Sequence, residues 1–230
     1  MARAFGAGAK IVTLESDPEV ACLAINFIEF SGVDADIDVW IGNCEDLAPR
    51  LREHLGARSV GLVYMDHNQM IYHEDLARLE ALDVLADGAL LVATQVLKPG
   101  APLLLWRLRQ AELAGRLSAP LELVSSPDCG CPLMEEWVVV AELVAFHGPG
   151  AVWEPDEAPK ELRLLAAECN LMRWRTVQGL VNEDRWNAFV QHVRRSVERL
   201  VGVRSTRDVW PDPKTLAKAR RLEYRRLDFF

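Results

Sequence analysis

Several short polar clusters stand just past, or just before, apolar runs that read as strands. Glu15 ends the run Lys10–Glu15 (KIVTLE), and Gly42-Asn43-Cys44-Glu45 follows Ile37–Ile41 (IDVWI). Asp66-His67-Asn68-Gln69 follows Val60–Met65 (VGLVYM), Thr94-Gln95 lies within Ala89–Val96 (ALLVATQV), and Glu135-Glu136 precedes Trp137–Val144 (WVVVAELV). A carboxylate at a strand end, such as Glu15, offers enough lone pairs to accept from both hydroxyls of a ribose, and it can equally be solvated or cap the next helix. Asp66 and His67 have the chemistry of metal ligands. His73-Glu74, a few residues on, reads as a helix start with an acid in its first turn rather than as an extension of that cluster. Cys44 is expected to be a small packed residue rather than a reactive thiol, and Glu135-Glu136 is either a working carboxylate or a solvated pair.

Such clusters act only if something gathers them. In open parallel sheets ligands bind beyond the carboxyl ends of the strands, which is where the first four clusters would fall. The chain supplies that scaffold by alternating strand-like and helix-like segments. After KIVTLE, Asp17-Pro18 suits a helix start and Ser31-Gly32 its end. Asn43 to His54 reads as helical, as does His73 to Leu85, and an Asp87-Gly88 turn is expected to open the strand Ala89–Val96. This rhythm predicts a parallel sheet covered on both faces, with Lys10–Glu15 and Val60–Met65 in one sheet. A Pro-Gly-Ala-Pro break at 99–102 leads to a helix containing Trp106 and Leu108, and Leu121–Val124 with Trp137–Val144 should form a hairpin-like pair at the sheet edge.

Beyond Gly148-Pro149-Gly150 the period becomes helical. Trp186, Phe189, Val190, Val193, Val197, Leu200 and Val201 share one face, with Asn182 as N-cap and Arg194, Arg195 and Arg199 off the stripe. Such a face must dock, on the α/β domain or on a partner. Trp174, Trp186 and Trp210 are expected to pack among these C-terminal helices. Lys214 to Phe230 is strongly basic and reads as a solvated helix or a contact for an anionic surface.

The bulk numbers agree with an α/β domain, residues 1–150, followed by a helical, basic extension, residues 151–230. The 230 residues are 50% hydrophobic, enough for a full core. Residues 1–150 carry 10 basic and 22 acidic side chains, and residues 151–230 carry 16 and 12, so a net −12 precedes a net +4. The overall charge of −8 argues against nucleic acid as a partner. No apolar run is long enough for a membrane span, and Met-Ala-Arg-Ala-Phe is not a signal sequence, so a cytoplasmic protein is expected. The five cysteines, Cys22, Cys44, Cys129, Cys131 and Cys169, are odd in number and lack paired C-x-x-C spacing, so they read as reduced thiols.

Taken in order, these segments resemble the catechol O-methyltransferase family over roughly residues 6–150. Gly8 to Pro18 is similar to the family's second strand with its ribose-binding glutamate. Ser31-Gly32-Val33 followed by Gly42-Asn43-Cys44-Glu45-Asp46 resembles its adenine-binding loop, and Val63 to His67 its aspartate-histidine motif. Leu97 to Pro102 resembles its post-strand turn, and Phe146-His147-Gly148-Pro149-Gly150, after the Met134-Glu135 step, its last strand and end. The resemblance implies a Rossmann-like methyltransferase sheet and methyl transfer from S-adenosylmethionine to a catechol hydroxyl held on Mg²⁺. It assigns the cofactor to Glu15, Gly42, Cys44, Glu45 and His67, the metal to Asp66, and acceptance from the catechol's second hydroxyl to Glu135.

The departures from the family pattern point the other way. Gln69 stands where the family has its lysine base, and an amide takes no proton near neutral pH. Thr94-Gln95 stands where the family has an aspartate-asparagine pair of metal ligands, leaving Asp66 as the one carboxylate. The family's first strand and its glycine-rich turn, central in the sheet, precede everything matched here. The expected fold is therefore that sheet without its first strand, followed by a helical extension: a fragment, a rearranged sheet, or a gap covered by the C-terminal region. A working O-methyltransferase and a degenerate binding or scaffold domain of the same fold remain the two readings.

Overall fold

The structure is a computed structural model that describes residues 9–127, 135–144 and 153–208. Cys129, Cys131, Met134, the 146–150 motif, Trp210 and the basic 214–230 segment lie outside the described residues.

The alternation read from the sequence is present. β1 (Ile11–Glu15), α1 (Pro18–Phe30), β2 (Ile37–Ile41), α2 (Cys44–Leu55), β3 (Val60–Met65), α3 (Tyr72–Ala81) and β4 (Leu85–Ala93) follow one another. Then come α4 (Pro102–Leu113), β5 (Glu122–Pro127), β6 (Glu135–Leu143), α5 (Lys160–Val177), α6 (Glu183–Leu200) and the short β7 (Arg207–Asp208). Local chemistry sets several of these starts. Asp17 accepts from the backbone N–H groups of Glu19, at 2.8 Å, and Val20, with Pro18 at the first helical position of α1. Asn182 caps α6 through the N–H of Arg185 at 3.0 Å.

The fold is α/β, but Lys10–Glu15 and Val60–Met65 do not share a sheet. β1 pairs in parallel with β2 alone, while β3 starts a five-stranded sheet of order β3-β4-β6-β5-β7. Among the described residues no strand lies between β1 and β3, so each keeps one side of its ladder unpaired. The split falls at the place the family resemblance gives to its first strand. β6 runs antiparallel to both β4 and β5, as the hairpin reading expects, although it lies inside the sheet rather than at its edge.

Two boundaries also differ. Asp87-Gly88 does not open β4 but lies within it, because Leu85 already pairs with Val60 and the register slips between Val60 and Leu62. α3 consequently stops at Ala81, and Thr94, Gln95 and Val96 fall past the strand end. There the backbone turns sharply, through Gln95 in the left-handed region (φ 57°), into the kinked turn Val96–Gly100, in which Lys98 is extended (φ −129°, ψ 99°).

The C-terminal helices close over that turn. Leu162, Leu165 and Cys169 of α5 and Val190, Val193 and Val197 of α6 are buried in the same core as Leu91, Leu97, Leu104 and Trp137. A Cβ on Gly100 (φ 115°) would stand 2.9 Å from Cys169 Sγ and 3.2 Å from Val193 Cγ1, so only glycine allows this approach. Trp186 is buried as expected, but Trp174 is 57% exposed: it falls on the outer side of α5, away from Leu162, Leu165 and Cys169. α2 meets α3 through an Arg78–Glu45 contact of 3.6 Å, and Val12, Leu14 and Trp40 of the two-stranded sheet pack on the shared core.

Candidate functional site

The polar clusters sort into two groups. The first surrounds the start of α2. Gly42 turns the chain from β2 into α2 at φ 146°, and a Cβ there would press on Leu47 at 3.1 Å, so the tight turn needs glycine. Cys44 and Glu45 occupy the first turn of α2. His67, one residue past Asp66 at the end of β3, points back toward them through a residue the sequence reading passes over, Asp75 in the first turn of α3. Asp75 is buried, lies 2.8 Å from His67 Nε2, accepts from Arg78 Nη1 at 2.7 Å, and stands near enough to Cys44 to bear on its thiol. Burial first and the Asp75 carboxylate second push the Cys44 thiol up to about 12, so it stays a neutral thiol near pH 7, as the packed-residue reading expects. Glu15, at the end of β1, accepts at a long 3.4 Å from the N–H of Asp17, and among the described residues no other hydrogen bond to its carboxylate is present.

The second group lies at the ends of β3 and β4. Thr94 donates its hydroxyl to Asp66 Oδ1 at 2.7 Å. Gln69, a buried residue, donates its amide to Gln95 Oε1. Tyr72 is fully buried beneath them, its hydroxyl 3.1 Å from the carbonyl of Met65, and burial drives its phenol far above the ordinary value. Thus Asp66 pairs with Thr94 as carboxylate and hydroxyl, and Gln69 with Gln95 as two amides. A Mg²⁺ ion wants oxygen ligands in near-octahedral order, usually with one or two carboxylates among them. Here Asp66 is the single carboxylate, with the Thr94 hydroxyl on one of its oxygens, and the Gln95 oxygen is taken up by Gln69. Among the described residues no group of three or more His, Cys, Asp or Glu side chains is set to hold a metal. This donor set does not fit Mg²⁺.

Glu135 does not join this group. One oxygen accepts from Ser125 Oγ and Trp137 Nε1, both at 3.0 Å, and the other from Arg194 Nη1 of α6 at 2.6 Å. It is not a solvated side chain, because α6 brings a guanidinium to the start of β6 and takes up much of its acceptor capacity. Its neighbour Glu136 is buried and accepts from the backbone N–H groups of Leu97, Lys98 and Trp137, at 2.9, 3.1 and 2.7 Å. Glu136 therefore holds the turn after β4, a job no sequence spacing announces, since Leu97 and Lys98 precede it by 39 and 38 residues.

No family model matches the chain. It is 34% identical over 102 residues to catechol O-methyltransferase B of Danio rerio, covering 44% of this chain and 39% of that protein. It is also 34% identical over 151 residues to the Homo sapiens transmembrane O-methyltransferase, covering 65% and 49%. The chain thus spans about half or less of the length of these curated relatives. Its fold matches the O-methyltransferase of Bacillus cereus solved in complex with SAH, at a TM-score of 0.50 and 16% identity over 62% of this chain and 66% of that one. It matches the O-methyltransferase TomG of Streptomyces achromogenes, solved with SAM, at 0.50 and 21% over the same shares. The sequence resemblance to catechol O-methyltransferases therefore holds, and the fold is that of Rossmann-like methyltransferases. Among the described residues no helix is long and apolar enough to cross a membrane.

Proposed function

We propose, from this likeness in sequence and fold, that the chain is a catechol O-methyltransferase-like protein that keeps the nucleoside half of an S-adenosylmethionine site and lacks the machinery for metal-assisted methyl transfer. The observation behind the first half is the cluster at these strand ends: Glu15 with acceptor capacity to spare, Gly42 at a turn of positive φ, Cys44 and His67 beside Asp75, and Glu45 within 3.6 Å of Arg78. In this reading Glu15 accepts from the ribose diol, and Gly42, Cys44, Glu45 and His67 border the adenine. The bound cofactor would supply an electrophilic methyl group.

The chain's own residues are poorly placed for the rest. In the family reaction a metal acidifies the hydroxyl and a base removes its proton. Gln69 is an amide with no basic site at neutral pH, Asp66 is tied to Thr94, and Glu135 is neutralised by Arg194. A catechol would reach this site unactivated and unoriented, and general-base assistance alone is worth roughly 10²–10⁴-fold. Residues 1–150 in this reading form the methyltransferase-like unit, and residues 151–230 an extension whose α5 and α6 cover its post-β4 turn. The rival reading, a working catechol O-methyltransferase, draws on the sequence identity rather than on the residues at the site.

Calorimetric titration with S-adenosylhomocysteine tests the binding half. Weak but saturable binding is expected, reduced about tenfold in Glu15→Ala through loss of a charge-assisted hydrogen bond. Equal affinity of wild type and variant would remove Glu15 from the site.

A further inference from the structure

α5 carries two apolar faces, and the fold buries one of them. Its inward residues Leu162, Leu165, Ala166, Cys169 and Met172 are buried. On the outer side Leu164, Leu171 and Trp174 are each at least 50% exposed, Ala167 is exposed between them, and Val177 and Leu180 extend the apolar surface at the helix's C-terminal end. Leu164, Ala167, Leu171 and Trp174 follow one another at steps of three, four and three residues, the seam by which one helix packs along another. Glu161 and Arg175 flank this seam on the same edge, both exposed, and among the described residues neither is in an ion pair. They lie 14 residues apart, about 21 Å along the helix, so they cannot meet within one chain.

We propose that the outer face of α5 is the interface of a homodimer, in which two copies of the helix pack antiparallel about a two-fold axis between Ala167 and Leu171. That arrangement sets Leu164 against Trp174 of the second copy and Ala167 against Leu171 of the second copy, small beside large in the central layers. It also brings Glu161 beside Arg175 of the second copy at both ends, so the charges left unpaired in one chain pair twice in the dimer. Glu168, next to the axis, is bonded to His192 at 2.9 Å, and Arg163 on the other edge is paired with Glu157. A parallel pair would face Trp174 with Trp174 and Ala167 with Ala167, and would keep Glu161 and Arg175 apart. The other exposed apolar stripe, Val20, Leu23, Phe27 and Phe30 of α1, lacks this complementarity: that helix carries the acids Glu19 and Glu29 and no base, so two copies of it would repel.

Sedimentation equilibrium on the full chain reads the association. A contact of one 18-residue helix per subunit is at the small end of specific interfaces, so a dimer dissociating on the order of 10 µM is expected. Leu171→Lys should be monomeric up to about 200 µM, because it places a charge in the centre of the seam. Its thermal melt should match wild type, since the side chain it replaces is half exposed. Glu161→Arg and Arg175→Glu should each weaken the dimer about tenfold by setting like charges together, and the two changes combined should restore it. A wild type that stays monomeric at about 200 µM, with residues 209–230 or another protein left to cover the face, would overturn the proposal. A dimer untouched by Leu171→Lys would put the interface elsewhere, α1 included, and overturn it as well. A dimer lost in Leu171→Lys but not restored by the charge exchange would overturn the antiparallel arrangement.

Discussion

At the scale of residues, the ion pair between Glu135 and Arg194 decides what the start of β6 can do. Glu135 is 10% exposed and Arg194 36%, so removing one partner strands a nearly buried charge on the other side. Arg194→Ala is expected to lower stability by about 2 kcal/mol, discounted for the part-exposed guanidinium. Arg194→Lys should recover part of it. Urea unfolding of the three proteins measures this, and an unchanged midpoint would show that the pair contributes nothing. Cys44 gives a pH dependence of definite sign. Its thiol is raised from 9.0 to about 12 in the folded chain, chiefly by burial and then by Asp75. Folding therefore favours the protonated thiol, and the stability tied to it is intact below pH 9.0 and lost as pH rises toward about 12. Tyr72 shifts in the same direction. Unfolding free energy should thus fall across that alkaline window, less steeply in Cys44→Ala; identical slopes would contradict the buried thiol. Glu15, Cys44 and Asp66 were visible in the sequence because strand ends can be found from periodicity. Asp75 was not, since its partners His67 and Cys44 come from two other segments, and the pairing exists only after α2 and α3 pack.

Elements show a similar division. The order of strands and helices follows from hydrophobic period, caps and turns, and most boundaries fall within a few residues of those signals. Pairing does not follow from period alone. β1 carries an apolar run suited to the middle of a sheet, yet it bonds only to β2, because no described strand lies beside its other edge. The docking of α5 and α6 was legible only as a need to bury a stripe. Which surface would receive it depended on Gly100, whose missing side chain lets Cys169 and Val193 close on the turn after β4. Gly100→Ala puts a methyl 2.9 Å from Cys169 Sγ at a φ of 115°, so a loss of roughly 2 kcal/mol is expected from strain and overpacking. Cys169→Ala in the same background should restore a measurable part. If Gly100→Ala melts like wild type, the close packing of the C-terminal helices on this turn is wrong.

For the molecule as a whole, the two halves of the site have parted. The proposed nucleoside cradle would draw on α2, α3 and the ends of β1 and β3, while at the positions proposed for a metal and a base the side chains are bonded to one another. Likeness to catechol O-methyltransferases speaks for catalysis, and the local chemistry speaks against it. The triple variant Gln69→Lys, Thr94→Asp, Gln95→Asn restores the family's residue types, and asparagine also suits the left-handed backbone at position 95 better than glutamine does. It serves as the comparison for the decisive measurement: methyl transfer from S-adenosylmethionine to a simple catechol, with and without Mg²⁺, by wild type, Asp66→Ala and the triple variant. Turnover by wild type is expected at or near background, unaffected by Mg²⁺ and by Asp66→Ala. Robust Mg²⁺-dependent turnover by the unmodified chain, abolished in Asp66→Ala, would contradict it.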